Sequence, residues 1–449
     1  MNQQNVFAST QIIAFNPILK ETADTRIQYF MYLRKLIRLV RWDKRKYTRA
    51  QMRFYKGILC DGQKVPVHTS SASFDPRFCC LLPYDLAAML AFHSKVVNSE
   101  KAKIIINKII SDFHLPKERA AFFSLEFEAS LGSLPAWEEV LRSNLTKGFK
   151  RYLKLVKENI SFIKARPYNI LITATMSAGK STLINALVGK DISLMQNMAC
   201  TSKIHTIISK PFDDGVSSEY DHDLSMDASK EDLLSDNENN MSHKIAVGTY
   251  FNGGLSGKRI ILLDSPGVNS SENAEHAEIS QQIIKSKKYQ LMIYVLNATQ
   301  LGTTDEEHHL EIVRQSLGRS NIIFVMNKAD KLISEEDNFL DSIDSQRKFL
   351  ISKGFKKPLI CPISCRAAYL VKKSRLEGLS RIERSEIENF MDKFEEQRLA
   401  DYYEEVLDCP HLSANNEEDA LFINCGFAHF EKMIADLYEG GKADGTDIC

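Results

Sequence analysis

In the stretch YNILITATMSAGKSTLINALVG (168–189), Gly179, Lys180 and Ser181 stand between an apolar run and an amphipathic helical pattern. That order suits phosphate. Backbone N–H groups at a helix start lack partners within the helix, and with the positive end of the helix dipole they cradle phosphate oxygens. Lys180 adds a point charge for β and γ phosphates, and the Ser181 hydroxyl can ligate Mg²⁺. The candidate phosphate-binding residues are Met176, Ser177, Ala178, Gly179, Lys180, Ser181 and Thr182. The stretch departs once from the pattern G-x-x-x-x-G-K-[ST], because Ala174 stands where the first glycine is expected.

Four further stretches supply complementary chemistry. KRIILLDSPG (258–267) is a strand pattern ending in Asp264, 84 residues after Lys180. A carboxylate there can accept from a Mg²⁺-bound water, and Gly267 lets a backbone N–H approach the γ-phosphate. NIIFVMNKAD (321–330) ends in Asn327, Lys328 and Asp330. The Asp330 carboxylate matches the paired N1–H and 2-amino donors of guanine, a pair adenine lacks, so this motif predicts GTP rather than ATP. Lys328 would lay its aliphatic stem over the base plane. PLICPISC (358–365) ends at Ser364, placed to support the base edge. In MQNMACTSKIHTIIS (195–209), Thr201 and Thr206 are candidates to reach Mg²⁺ and the γ-phosphate. The metal set is then Ser181, Thr201 and, through water, Asp264.

These residues need a scaffold of strands that end at one level. Apolar runs at 169–173, 258–264, 291–297 and 321–327 alternate with helical patterns, which implies an α/β fold: a mostly parallel central sheet flanked by helices, with ligand at the carboxyl strand ends. Thr304 and Glu307 read as a capping box for a helix on which His308 and His309 lie at the surface. Upstream, helices are expected over 84–97, 99–113, 116–130 and 135–165, so an α-helical region precedes the sheet.

The 449 residues allow two or three domains, and 44% hydrophobic with 26% charged residues is an ordinary globular composition. Zero formal net charge argues against an electrostatic nucleic-acid binder. Residues 26–56 nevertheless hold eleven Lys and Arg against Asp43, with Phe30, Leu33, Leu36, Ile37 and Val40 at helical spacing. Three readings compete for this stretch: a solvated face of a bundle helix, an interfacial helix on anionic lipid, and a nucleic-acid arm. Residues 212–243 form an acidic insertion with ten Asp and Glu and one Lys, read as a solvated loop that could latch onto the basic stretch. The nine scattered cysteines fit reduced thiols. No signal pattern or membrane-length apolar run is visible, so the expected location is cytoplasmic with peripheral membrane contact. The expected division is a basic segment and linker (1–83), a helical region (84–165), a nucleotide domain (166–440) and a polar tail (441–449).

Together TMSAGKSTLINALVG, ACTSKIHT, DSPGVNSSENAEH, VLNATQLGTTDEE, NKAD and PISCRAA resemble the GTPase domain of the dynamin superfamily, bacterial dynamin-like proteins in particular, over roughly 150–440. The resemblance implies a P-loop GTPase fold, GTP as substrate with Mg²⁺, and hydrolysis stimulated by self-association of GTPase domains. It also implies membrane association. It makes Thr201 the switch threonine and places catalysis on Ser177, Lys180, Thr201 and Gly267. Met176 stands where dynamins proper carry a glutamine that positions the attacking water, and INCGFAHFEKMIADLY (423–438) resembles the closing helix of the domain. No long stalk follows that helix in this sequence, so stalk-driven assembly is not expected of this polypeptide alone. Two alternatives accompany this reading: a nucleotide-gated binding module with negligible turnover, and an Era-type GTPase acting on RNA or the ribosome.

Overall fold

The computed structural model describes residues 3–44, 46–66, 75–90, 100–130, 134–143, 148–192, 204–221, 223–229, 244–265, 274–286, 288–316, 321–332 and 339–443. It divides into two compact units, 1–166 with 210–229, and 167–209 with 230–449. The expected boundary at residue 83 does not coincide with this division. Helices Ala23–Leu39 and Lys46–Cys60 share one apolar core with the later helices Leu82–Leu90, Glu100–Asp112, Lys117–Ser130, Leu134–Arg142 and Lys150–Lys164.

The basic stretch is therefore a helical hairpin. Its apolar stripe, Phe30, Leu33, Leu36 and Ile37, is buried with Trp42, Tyr55 and Leu59, which leaves the cations outside. Thr22 starts the first helix by accepting from the Thr25 N–H. Deep in the same core Asp85 accepts from the Tyr29 hydroxyl (2.5 Å), the Asn16 amide (2.8 Å) and the Tyr55 hydroxyl (3.1 Å). The single helix expected over 135–165 is two, Leu134–Arg142 and Lys150–Lys164, with 144–147 outside the described residues.

The start of the acidic insertion packs on this unit. The buried Gln11 side chain bonds both the N–H and the carbonyl of Phe212, whose ring meets Phe15 edge-on at 5.6 Å. The Tyr220 ring stacks on Tyr47 at 6.0 Å, and Asp223 pairs with Arg53 (3.4 Å) and Lys46 (4.0 Å). The latch between acidic insertion and basic stretch thus forms within one chain.

The strands in chain order are β1 Tyr168–Ala174, β2 Ile204–Lys210, β3 Ser218–Tyr220, β4 Leu224–Ser225, β5 Lys244–Tyr250, β6 Ile260–Asp264, β7 Leu291–Asn297, β8 Asn321–Asn327 and β9 Ile360–Ile363. β3 and β4 form a short antiparallel pair in the first unit. In the second unit the sheet order is β5-β2-β6-β1-β7-β8-β9. β6, β1, β7, β8 and β9 run parallel, and β2 is antiparallel to β6. The register sets Ile172 beside Asp264, Asn297 beside Asn327, and Asn327 beside Ile363, so the strands deliver their polar ends to one edge. β7 is buried at every position, the mark of a central parallel strand covered on both faces. The closing helix breaks in two, Glu417–Asn424 and Phe427–Ala443. Gly426 lies between them in the left-handed region, where a Cβ would stand 2.5 Å from the Pro362 carbonyl.

Candidate functional site

At the carboxyl end of β1 the chain passes through 175–179 into the helix Lys180–Val188. Ser177 (φ 61°) and Gly179 (φ 92°) both take left-handed backbone, which curls the loop so that the first helical N–H groups face its interior. Gly179 is required here on two grounds. Its φ suits glycine, and an added Cβ would lie 2.1 Å from Asn327 Nδ2.

That close approach exists because Asn327 is a bracket. Its Nδ2 donates to the Ala178 carbonyl (2.9 Å), and its Oδ1 accepts from the Cys365 N–H (3.1 Å), tying the loop after β1 to the start of the helix Cys365–Leu376. Lys328, also left-handed (φ 62°), donates from Nζ to the Ser177 carbonyl at 2.9 Å. The Ser364 hydroxyl donates to Asp330 Oδ1 at 2.8 Å, and both residues are buried, so the carboxylate has a fixed plane. Lys180 forms an ion pair with Asp264, both side chains being largely buried. Four stretches far apart in sequence therefore meet around one loop.

The structure brings together Ser177, Ala178, Gly179, Lys180, Asp264, Asn327, Lys328, Asp330 and Ser364. Ser181 and Thr182 are half-buried on the first turn of the helix, and Met176 is exposed on the loop. Thr201 and Gly267 lie outside the described residues. Thr206 lies within β2, paired in register with Leu263.

Two expectations about the helix after β7 need correction. It begins at Thr304, so Thr303 rather than Thr304 is the cap: Thr303 Oγ1 accepts from the Glu306 N–H (3.3 Å), while Glu306 accepts from the Gly302 N–H (2.7 Å). His309 is buried, not superficial. Its Nε2 is 3.2 Å from Thr173 Oγ1 and its Nδ1 is 3.3 Å from the Tyr294 hydroxyl, while Ser265 Oγ donates to Thr173 Oγ1 at 3.1 Å. Burial pushes the imidazole down to about 4, with His308 adding to the effect, so His309 is neutral at physiological pH. This polar chain links the end of β1 to the residue after Asp264. The signal was in the spacing: 306, 309, 310 and 313 fall on one helical face, and all four are buried.

The donor set suits a hard divalent cation. Ser181 and Asp264 offer oxygen, and among the described residues no three His, Cys, Asp or Glu side chains cluster as a metal cage. A Mg²⁺ shared with phosphate oxygens and water needs only one or two protein ligands.

Residues 170–329 match the family model for the dynamin family. Dynamin-like protein 2 of Campylobacter jejuni subsp. jejuni serotype O:23/36 (strain 81-176) is 27% identical over 201 residues, which is 44% of this chain and 31% of that protein. Dynamin-like protein A of Bacillus subtilis (strain 168) is 23% identical over 205 residues, 42% of this chain and 17% of that one. The matched stretch thus spans under a third of either curated relative. A solved structure of an oligomerised bacterial dynamin pair, described as a mechanism for long-range sensing and tethering of membranes, is 17% identical with a TM-score of 0.37. That match covers 97% of this chain and 73% of the other. With phosphate-loop, Asp264 and guanine-type motifs gathered at one sheet edge, the stretch from β1 to β8 matches the dynamin family, and its curated matches are bacterial dynamin-like proteins.

Proposed function

We propose that the chain binds and hydrolyses GTP at the loop after β1. The observation that carries this is the convergence of Lys180, Asp264, Asn327, Asp330 and Ser364 on that loop. The backbone of 177–181 and the helix start bind the β-phosphate, and Lys180 spans β and γ oxygens, neutralising charge that grows in the transition state. A phosphate in the loop would compete with Asp264 for the Lys180 ammonium, and so release Asp264 toward a metal-bound water. Mg²⁺, held by Ser181 and Thr201 with Asp264 through water, would supply further charge neutralisation. Asp330, its plane set by Ser364, reads guanine. Ser177, Thr201 and Gly267 complete the catalytic set through the attacking water and the γ-phosphate.

In this reading the protein is a cytoplasmic GTPase that self-associates through its GTPase domains and acts at an anionic membrane surface. Lys180→Ala should abolish GTP binding and turnover. Wild-type hydrolysis by that variant would overturn the assignment, and turnover measured against protein concentration with and without liposomes tests self-association and membrane action together. One observation favours a nucleotide-gated switch with little turnover: Met176 is 38% exposed at the loop tip, and a thioether cannot donate a hydrogen bond to water. Single-turnover hydrolysis separates the two.

A further inference from the structure

The helical hairpin of the first unit carries a cleft that the nucleotide chemistry does not use. On helix Ala23–Leu39, Arg34 and Arg38 are four residues apart; on helix Lys46–Cys60, Lys46, Arg49, Arg53 and Lys56 recur at intervals of three and four. Helical geometry puts each set on one face, and the hairpin turns the two faces toward a common cavity of about 530 Å³. Its floor is apolar, made by Phe30, Ile37 and Met52.

Cations placed for solubility alone would be spread over a convex face. Among the described residues six converge here, opposed in the lining by Asp43 and Asp223. Among the described residues Arg34, Arg38, Arg49 and Lys56 have no carboxylate within 4 Å. Burial and the neighbouring Arg38 charge both lower the Arg34 pKa, as expected of like charges held close. Gathering such charge is unfavourable unless an anion neutralises it. Arginine in particular offers a planar fork that matches phosphate oxygens two at a time.

We propose that this cleft binds a small polyanion bearing two or more phosphate groups, with Asp223 as its built-in competitor. The volume suits a small ligand, and the apolar floor accommodates the non-phosphate part of the molecule. Asp223 reaches the rim from the acidic insertion and engages Arg53 and Lys46, so it occupies charge that a phosphate would take. The ligand is a soluble polyphosphate or the headgroup of a multiply phosphorylated lipid; the recognition chemistry is shared. The inference does not depend on the GTPase reading.

The test uses the full chain carrying Lys180→Ala, which removes the phosphate loop's lysine. Inorganic tripolyphosphate is titrated by calorimetry, and in a second arm phosphatidylcholine vesicles with and without cardiolipin are assayed by co-sedimentation. One saturable site is expected in at least one arm. Adding Arg34→Ala with Arg38→Ala should weaken it by about tenfold or more, and adding Asp223→Asn should tighten it about threefold. Replacing both arginines by lysine should keep part of the affinity while losing the bidentate component. Binding of tripolyphosphate assigns a soluble ligand, and binding of cardiolipin vesicles alone assigns a headgroup. Absence of saturable binding in both arms overturns the proposal, as does binding that neither the arginine pair nor Asp223 alters. Association with RNA but with neither probe would also overturn it.

Discussion

Stability of the first unit should fall as pH rises, against the usual trend for carboxylates. Burial pushes the Asp85 carboxyl from its ordinary 3.8 up to about 7, the hydrogen bonds from Tyr29, Tyr55 and Asn16 offsetting only part of the desolvation. A folded pKa above the unfolded one means that the folded chain binds more protons between those values. The associated stability is fully present below about pH 4 and is lost as pH rises through about 7. Three pH units at about 1.4 kcal/mol each give about 4 kcal/mol in all, of which about 2 kcal/mol falls between pH 5 and pH 7. Asp85→Asn isolates the effect. The new carbonyl can replace Oδ2, which receives Tyr29 and Asn16, and the new amide can donate to the Tyr55 oxygen in place of Oδ1. Both tryptophans, Trp42 and Trp137, are buried in this unit, so their fluorescence reports its unfolding. Denaturant titrations from about pH 5 to pH 8 should show the wild-type midpoint falling and the Asp85→Asn midpoint falling less, the remaining slope coming from Glu126, whose carboxyl burial also pushes up to about 7, with the variant at least as stable at pH 8. A wild-type midpoint that is flat or rises with pH refutes the reasoning, as does a variant with undiminished slope.

Three further outcomes concern the sheet unit. Gly179→Ala should displace Asn327, losing two hydrogen bonds at about 1 kcal/mol each plus about 1 kcal/mol of left-handed strain, and so weaken a fluorescent GTP analogue about a hundredfold. Asp330→Asn should move preference from GTP to XTP in competition binding, since an amide can donate to a 2-keto group; unchanged GTP affinity would count against base reading. Met176→Gln should raise turnover at saturating GTP about tenfold with little change in KM, because an amide can orient water. An unchanged rate would place that task elsewhere.

The central strands were legible almost to the residue. β7 and β8 match the apolar runs 291–297 and 321–327 because strands covered on both faces leave little choice of composition. The polar ends Asp264, Asn327 and Ser364 were legible for a related reason: a polar residue closing such a run has a sheet edge to go to. What Asn327 does there was not. Its role as a bracket between Ala178 and Cys365 depends on register across β1, β8 and β9, which no local pattern encodes. His309 was misplaced because adjacent histidines look like surface, although the helical period puts only the second inward. The basic stretch showed its amphipathic spacing, but whether its apolar face met lipid or protein depended on helices 20 to 130 residues further on.

The return of 210–229 to the first unit bears on how the protein matures during synthesis. A ribosome delivers the helices of the first unit first, yet the Gln11 amide obtains its partners only when Phe212 emerges. At roughly 5 to 20 residues per second, the stretch from 166 to 212 takes roughly 2 to 9 seconds. Throughout that interval the Gln11 amide lacks these two bonds, worth about 1 kcal/mol each. β1, the phosphate loop and β2 leave the ribosome within the same interval. The nascent helical bundle is thus completed by a segment made after the nucleotide loop, and a fragment ending at 166 would lack those bonds.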